Sequence, residues 1–478
     1  MVIAHLRKGE LVVVDKLREM VRLAAGLTPS GNLSAEGQQK ALDCLQRFGQ
    51  RLKDMPPGSV RAVGTNTLRV ARNSQEFLRL AEVALGHPIE IIAGIEEARL
   101  IYQGVSHSLA TDGRRRLVMD IGGGSTEYII GVDKTPINKE SLHMGCVSMS
   151  LHQFPDGKIT AKRFKRAVIT AQTELEPIEK GFGKNQWDEA VGASGTLKTV
   201  QKLLIANGWS KEGITLEGLN RLIDTLLIAG HWEKIQLPEL SPERKPIIPG
   251  GVAILAATFN SLGITHMRVS EGALREGLLY DLLGRINNYD IRDRTVAAMA
   301  TRYHVDVEHA GRVKATALML WEQTRFPSNP HFESPERWLG WASDLHEIGL
   351  DIAHSGYHKH SAYIVENADL PGFSKQDQVL LALLVREHRR KFTAKLFKEL
   401  PEPLLGYARA MGLVMRLAAL LNRSRHNNLP PNIVLSYGDL RLGLRFPPDW
   451  LSDHPLTEAD LARETDYLQA VGITLTYA

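Results

Sequence analysis

The sequence predicts a mixed protein, α/β plus all-α, with an α/β region, a long helical region and a small α/β segment at the end. Strand-like and helix-like stretches alternate from Met1 to about residue 286, which is typical of layered α/β domains. From residue 292 to about 425 strand patterns nearly vanish and amphipathic helical patterns dominate, as in an all-α domain. Short alternating runs return after Ile433. We therefore expect domains at residues 1–100, 101–286, 290–430 and 431–478.

The individual elements follow from hydrophobic periodicity and turn signals. Residues 1–6 and 11–14 alternate around a turn, which predicts an N-terminal hairpin. Apolar residues at helical spacing then predict helices, and short β-branched runs predict strands. The expected helices are 34–53, 77–85, 95–105 and 274–283, and the expected strands are 60–63, 89–92, 117–120 and 268–270.

The composition is that of an ordinary soluble globular protein, with 43% hydrophobic and 23% charged residues among 478. Two cysteines cannot form a disulfide framework, and the opening residues form neither a signal peptide nor a membrane span. We therefore expect a cytoplasmic protein with no stable membrane insertion. The net charge of +4 is too small to indicate nucleic-acid binding. Between residues 379 and 428 ten Lys and Arg accompany three acids, which suits a polyanion and equally suits a solvated helical surface.

The most informative segment is LVMDIGGGSTEYIIGV, residues 117–132, in which a strand leads into three glycines and a hydroxyl. Gly122, Gly123, Gly124 and Ser125 would let backbone amides converge on an anion. Asp120 and Glu127 flank this loop, and two carboxylates beside a phosphate loop suit Mg²⁺. A strand follows the loop and no Lys-Ser/Thr pair is present, which excludes a Walker P-loop. The alternative is a glycine-rich hairpin without a ligand.

Two further loops offer phosphate ligands after a strand. The segment 191–204 carries small and hydroxyl residues where a helix begins, and unpaired amides at such a point favour phosphate. The segment VGTNTLR, residues 63–69, adds hydroxyls, an amide and an arginine that could hold phosphate oxygens bidentately. Ordinary helix capping explains either segment equally well. The candidate residues are Gly192, Ser194, Gly195 and Thr196 in the first loop and Thr65, Asn66, Thr67 and Arg69 in the second.

Glu96 and Glu97 lie in the first turn of a predicted helix, where acids complement the helix dipole. If that helix end faces the glycine loop, one of the two carboxylates could deprotonate an attacking water as a general base. We expect Arg99 to be its charge partner.

Six motifs occur along the chain in the order VGTNTLR, EEARLIYQGV, DIGGGSTE, HMGCVSM, GASGT and EGALREGLLYDLL. Together they resemble the exopolyphosphatase/guanosine pentaphosphate phosphohydrolase family over almost the whole chain. The resemblance implies two ribonuclease-H-like (actin-like ATPase) lobes, then a helical HD-like domain and a small C-terminal α/β domain. It also implies Mg²⁺-dependent hydrolysis of a terminal phosphate.

The resemblance assigns roles to individual residues. Glu97 matches the catalytic base, Asp120 and Glu127 match the acids at the metal-phosphate site, and Arg69 would assist the terminal phosphate. Glu127 is thus both a catalytic and a metal candidate. Family members begin with a strand ending in Asp-Leu-Gly-Ser-Asn-Ser, the first phosphate loop, which this sequence does not contain. On that ground we expect weak activity or low stability from this form.

Within the family, GTNTLR, GGGSTE and HSGYHKHSAYIVENADLPGF look more like the exopolyphosphatase branch. The first expectation is therefore processive hydrolysis of inorganic polyphosphate. One alternative is a guanosine pentaphosphate 5′-phosphohydrolase, and another is a binding regulator whose catalysis has decayed. A homodimer is expected in each case.

The helical region resembles an HD-type metal phosphohydrolase, yet the dyad reads His346-Glu347 and no upstream His or downstream Asp completes it. A degenerate domain without a working metal site is expected. Its histidines and basic residues could instead line a path for a polyphosphate tail, or could be purely structural. The path candidates are His354, His358, His360, Arg386, His388, Arg389, Arg390 and Lys391.

Overall fold

The computed structural model describes residues 1–7, 10–56, 58–287, 289–327, 334–397, 400, 402–426, 432–438 and 440–478. The chain divides into two compact units, residues 1–289 and 290–478. The first holds both predicted α/β regions, and the second holds the predicted helical region and the final α/β segment.

The first unit alternates strands and helices, as predicted. Its strands are β1 Val2–Arg7, β2 Glu10–Lys16, β3 Ala62–Gly64, β4 Ile89–Ile91, β5 Arg115–Ile121, β6 Thr126–Val132, β7 Thr135–Leu142, β8 Glu189–Ala193, β9 Ile214–Thr215 and β10 His266–Val269. Its helices are α1 Ala35–Leu52, α2 Asn66–Val70, α3 Ser74–Leu85, α4 Gly94–His107, α5 Cys146–Gln153, α6 Ala161–Leu175, α7 Glu179–Phe182, α8 Gly195–Ala206, α9 Leu216–Ala229, α10 Ile248–Leu262 and α11 Leu274–Ile286. Short 3-10 helices lie at Leu23–Gly26, Glu176–Ile178, Lys184–Gln186 and Trp232–Lys234.

A six-stranded mixed sheet in the order β7-β6-β5-β8-β10-β9 forms the centre of this unit. The strands β5, β8 and β10 are parallel, and β6 and β7 add antiparallel hairpins on one side. The middle of β5 is buried throughout, as expected for a central strand with helices on both faces. Residues 1–100 are arranged differently, because β1–β2 and β3–β4 form two separate two-stranded sheets.

Helices α4 and α11 cross at very close range because glycines lie at the contact. A methyl group at Gly104 would collide with the carbonyl of Ala273, and one at Gly277 would collide with the carbonyl of Leu100. The crossing also buries the Asp281 carboxylate of α11, which accepts hydrogen bonds from two arginines of the preceding elements. This contact fixes the position of α4, whose first turn carries the candidate base.

The second unit is mainly helical, and its core is separate from the cores of the first unit. Its helices are α12 Ile291–Arg302, α13 Val307–Thr324, α14 Pro335–Leu345, α15 Tyr357–Asn367, α16 Lys375–Glu387, α17 Ala394–Phe397, α18 Glu402–Leu421, α19 Trp450–Asp453 and α20 Pro455–Gln469, with a 3-10 helix at Ile348–Asp351. The strands β11 Val434–Gly438, β12 Arg441–Arg445 and β13 Thr474–Tyr477 form one sheet in that order, at the three runs predicted from the sequence. Within α18, residues Leu404–Leu421 are long and apolar enough to span a membrane, and 67% of that window is buried inside the protein.

Candidate active site

The glycine loop joins β5 to β6, and the two strands place its flanking acids side by side. Asp120 and Glu127 are direct partners in the antiparallel register, so their side chains lie on the same face of the sheet. Gly122 donates its amide to the carbonyl of Ser125 at 2.9 Å and closes the turn. The carbonyls of Gly122 and Gly123 accept hydrogen bonds from the first amides of α5. The loop is therefore held rigidly between a sheet and a helix end.

The glycines serve close approach rather than unusual backbone angles, since none of Gly122, Gly123 and Gly124 has a positive φ. A methyl group at Gly124 would collide with the side-chain amide nitrogen, Nδ2, of Asn66. One at Gly145, just before α5, would collide with the backbone of Gly123 and Gly124. Two of the predicted phosphate motifs, GTNTLR and GGGSTE, are thereby in direct contact.

The first turn of α4 faces this loop, as the hypothesis of a general base requires. Arg69 donates from Nη1 to Oε2 of Glu97 at 2.9 Å and to the carbonyl of Ile92 at 2.8 Å. Ser141 on β7 donates its hydroxyl to Oε1 of Glu127 at 2.9 Å. The charge partner of Glu97 is therefore Arg69. The expected partner Arg99 binds elsewhere in the first unit.

Arg99 pairs with its helical neighbour Glu96 at 2.8 Å and with Asp281 at 2.5 Å. Residues three apart in a helix are neighbours on its surface, whereas residues two apart are not. The pairing of Arg99 with Glu97 was wrong for that reason. Glu96 contributes to the buried network that holds α4, and Glu97 alone points to the glycine loop.

The three acids repel one another in a buried setting. Burial and the charge of Glu97 raise the pKa of Asp120 to about 7, although Lys198 opposes the shift. Burial, Glu97 and Asp120 together raise the pKa of Glu127 well above its usual range. Burial also raises the pKa of Glu97, and Arg69 acts against that rise. Such mutual perturbation of buried carboxylates is typical of functional sites.

These acids fit a magnesium ion on chemical grounds. Carboxylate oxygens are the hard ligands that Mg²⁺ takes, and it commonly uses one or two of them together with phosphate oxygens. Among the described side chains, Arg69 is the cation that forms an ion pair with any of the three acids. A divalent cation at Asp120 and Glu127 would relieve the repulsion that raises their pKa values.

The third predicted loop lies on the other side of β5. Asp120 is the partner of Ala193 in the parallel pairing of β5 with β8, and Thr196 donates its hydroxyl to the carbonyl of Ile121 at 3.2 Å. Ser194 has φ 95° and ψ 160°, a strained conformation outside glycine, and it caps α8 by accepting from the amide of Leu197. Gly192 packs against the side chain of Leu197. Capping thus accounts for Ser194, while the loop as a whole borders Asp120.

The path candidates in the second unit divide into buried and exposed residues. His358 and His388 are buried, and burial lowers the pKa of His358 to about 4 and that of His388 well below its usual value. Arg389 lies over the ring of Tyr357 at 4.6 Å. The buried pair cannot line a surface path in this structure. The exposed or half-buried candidates are His354, His360, Arg386, Arg389, Arg390 and Lys391.

The HD-like dyad has an upstream histidine that sequence reasoning missed. His309, on α13, lies with His346 and Glu347 so that one ligand atom of each is within 4.8 Å of the others. The signal in the sequence is a histidine that lies 37 residues before His346, in the first turn of a helix. No spacing rule for metal ligands identifies a histidine at that separation. Arg425 donates to both carboxylate oxygens of Glu347 at 2.8 and 2.7 Å. This guanidinium already neutralises the carboxylate, so we assign no metal to the group.

The sequence profile of the Ppx/GppA phosphatase family matches residues 2–286, and the profile of domain III of the same phosphatases matches residues 291–465. The chain belongs to the Ppx/GppA phosphatase family. It is therefore a phosphoanhydride hydrolase with actin-like ATPase-type α/β domains, as the resemblance predicted.

Relatives that match over their full length carry the name of one branch of the family. The guanosine-5′-triphosphate,3′-diphosphate pyrophosphatase of Aeromonas hydrophila is 39% identical over 468 residues, which is 97% of this chain and 93% of that protein. The protein of the same name from Vibrio cholerae is 38% identical over 479 residues, 100% of this chain and 95% of that protein. The prediction of polyphosphate as the substrate was therefore wrong. Two of the motifs behind it, GTNTLR and GGGSTE, lie in the site of the first unit, and the third lies in the second unit.

Solved structures support the fold alone. The exopolyphosphatase from Cytophaga hutchinsonii superposes with a TM-score of 0.52 at 23% identity and covers 59% of this chain and 93% of its own. An exopolyphosphatase-like protein gives the same TM-score and identity over 58% of this chain and 94% of its own.

Proposed function

We propose that this protein hydrolyses the terminal 5′-phosphoryl group of guanosine 5′-triphosphate 3′-diphosphate and releases orthophosphate. The observation that carries the proposal is the meeting of Glu97, Asp120 and Glu127 beside a glycine loop that two other motifs border. The names of full-length relatives support this substrate over an inorganic chain.

In this mechanism Glu97 is the general base. Its pKa is raised by burial and held back by Arg69, so the carboxylate is more basic than an exposed one and remains oriented by an ion pair. The base accepts a proton from water as the water oxygen bonds to the terminal phosphorus. The bond from that phosphorus to the bridging oxygen breaks, and the leaving oxygen remains on the 5′-diphosphate.

Catalysis of this kind relies on position and charge more than on covalent chemistry. We propose that Gly122–Ser125 and the GTNT turn, residues 64–67, hold phosphoryl oxygens through backbone amides and hydroxyls. Arg69 donates to the base and to the carbonyl of Ile92, and it would contact the transferred phosphoryl group. When bound by Asp120 and Glu127, Mg²⁺ would neutralise phosphate charge.

The test is phosphate release from guanosine 5′-triphosphate 3′-diphosphate by the full chain with Mg²⁺. We expect Glu97→Gln to lower kcat by at least ~100-fold, because a general base contributes roughly that much. Glu36→Gln is the matched control, since Glu36 is exposed and pairs with its helical neighbour Lys40. Wild-type protein that binds the nucleotide without turnover would instead support a binding regulator, and equal rates for Glu97→Gln and wild type would refute the role of Glu97.

Two properties beyond the reaction remain predictions from the sequence. We propose a cytoplasmic location, supported by the two unpaired and buried cysteines. We also propose a homodimer, which sedimentation of the full chain would test. A monomer across the working concentration range would contradict it.

A further inference from the structure

Ser141 lies on β7, at the end of a row of side chains that crosses the sheet at the active site. In the antiparallel register of β6 and β7 it is the direct partner of Glu127, and Glu127 is the partner of Asp120 on β5. Directly paired residues project from the same face of a sheet, with Cβ atoms about 4.5–5.5 Å apart. Ser141, Glu127 and Asp120 therefore form one row on the face that carries the acids. The proposed function uses the two acids and leaves Ser141 without a role.

The Ser141 hydroxyl holds one oxygen of a deeply buried carboxylate. It donates to Oε1 of Glu127 at 2.9 Å, and Glu127 is only 1% exposed. Within the described part of the chain, Glu97 has a guanidinium partner, whereas the hydrogen-bond donors of Glu127 are hydroxyls. A neutral hydroxyl orients a carboxylate without neutralising it. The negative charge of Glu127 therefore stays available for a cation, unlike the charge of Glu347 beside Arg425.

Ser141 differs from the other hydroxyl at this carboxylate. Ser125 also hydrogen-bonds Glu127, but it belongs to the glycine loop that we propose holds phosphoryl oxygens. A hydroxyl has a single hydrogen to donate, so Ser125 cannot serve Glu127 and a phosphoryl oxygen at the same time. Ser141 lies on a strand outside that loop. It is therefore the donor that stays with Glu127 when phosphate is bound.

The start of α4 packs against Ser141 from the other side. A methyl group at Gly94, the first residue of α4, would collide with both Oγ and Cβ of Ser141. Gly94 does not have a positive φ, so its lack of a side chain serves this close approach. A serine side chain has three staggered rotamers, and packing on one side limits the choice among them. The Ser141 hydroxyl is thus held between Gly94 and Glu127, beside the helix turn that carries Glu97.

We infer that Ser141 is a positioning residue, whose hydroxyl fixes the Glu127 carboxylate so that Oε2 is presented, together with Asp120, to a divalent cation. This inference rests on the proposed function and deepens it. Hydrogen-bond partners behind metal-binding carboxylates orient them, and their loss typically lowers metal affinity or activity by about 10- to 100-fold. Ser141 itself neither contacts the substrate nor transfers a proton.

The expected defect of Ser141→Ala is in metal use. The Mg²⁺ concentration that gives half the maximal rate should rise by about 10- to 100-fold, because the freed carboxylate must be ordered by the ion itself. At saturating Mg²⁺, kcat and the KM for guanosine 5′-triphosphate 3′-diphosphate should both return to within about threefold of wild type. A general packing defect would not respond to the metal concentration.

The decisive experiment measures Mn²⁺ binding to the full chain without nucleotide, from the electron paramagnetic resonance signal of the free ion. Mn²⁺ takes the same carboxylate and water ligands as Mg²⁺. Asp120→Asn identifies the site, because it should remove it. Ser141→Cys is a second variant that keeps the packing against Gly94 but is only a weak donor, so it should match Ser141→Ala. Ser436→Ala is the control, since Ser436 is an exposed serine on β11 whose hydroxyl donates to a backbone carbonyl.

Both Ser141 variants should bind Mn²⁺ about 10- to 100-fold more weakly than wild type, and thermal melts show which of them is folded. Mn²⁺ affinity within threefold of wild type in a folded variant would overturn the inference. A rate that saturating Mg²⁺ does not restore would overturn it too, and so would a wild type without an Asp120-dependent Mn²⁺ site. A wild type that binds Mn²⁺ at this site but releases no phosphate would refute the proposed hydrolysis, and the Mn²⁺ affinities would still decide the role of Ser141.

Discussion

Gly145 offers a direct test of the idea that the glycine loop must be held in one place. It lies between β7 and α5, and a methyl group there would overlap the backbone amide of Gly124 and the carbonyl carbon of Gly123. The methyl carbon would lie about 1 Å closer to these atoms than ordinary van der Waals contact allows. Backbone atoms on both sides cannot rotate away as a side chain can. In Gly145→Ala the loop and the start of α5 must therefore separate by about 1 Å.

The magnitude follows from that displacement. A misplacement of about 1 Å at a reacting group costs roughly 100-fold in rate. Overpacking of a rigid contact costs about 1–3 kcal/mol of unfolding free energy, which leaves an ordinary domain folded. We therefore expect Gly145→Ala to be folded at 25 °C with kcat/KM for guanosine 5′-triphosphate 3′-diphosphate lowered by about 100-fold.

The assay combines phosphate release with urea unfolding. Gly311→Ala is the matched control, because Gly311 lies in α13 with open space around it and no positive φ. This control should retain full activity and should gain up to about 1 kcal/mol from better helix propensity. A folded Gly145→Ala protein whose kcat/KM stays within threefold of wild type would show that the loop tolerates displacement, and the reasoning would fail.

Three further predictions concern charge. Asp281→Asn leaves Arg61 and Arg99 without their buried carboxylate and should lower the free energy of unfolding by about 3–5 kcal/mol in urea titrations, whereas the exposed Asp224→Asn should not. Burial lowers the pKa of His346 to about 4, so the unfolded chain takes up this proton near pH 6.5 and the folded chain does not. The free energy of unfolding should therefore fall by roughly 3 kcal/mol between pH 6.5 and pH 4. His346→Gln should reduce this dependence on pH, and an unchanged dependence would contradict the role of His346. Removal of divalent ions with EDTA should abolish phosphate release, and Mg²⁺ should restore it and raise the melting temperature; activity that survives EDTA would exclude the metal.

Local patterns predicted the elements and part of the site. The strand, glycine loop and strand around residues 117–132 are contiguous, so their sequence determines both the turn and the register of Asp120 opposite Glu127. The role of Glu97 required only that one helix end face this loop. Its partner was predicted wrongly, although the three-residue spacing of Glu96 and Arg99 already favoured the observed pair.

What the sequence did not predict depends on contacts between distant segments. Arg244 and Arg18 both lie beside Gly195 of the GASGT loop, although more than 200 residues separate them in the chain. His309 reaches His346 across two packed helices. The prediction of polyphosphate failed for another reason. Motifs that bind and hydrolyse a terminal phosphate are shared by enzymes that differ in what the phosphate is attached to, so these motifs carry no information about the nucleoside.

The glycine crossing of α4 and α11 has an implication for how variants of this protein should behave. Any side chain at Gly104 or Gly277 would push the two axes apart, and α4 would take Glu97 with it. Substitutions at this crossing should therefore lower the turnover rate before they lower expression or solubility. Natural diversity should accordingly be sparse there, although Gly104 lies seven residues along α4 from Glu97.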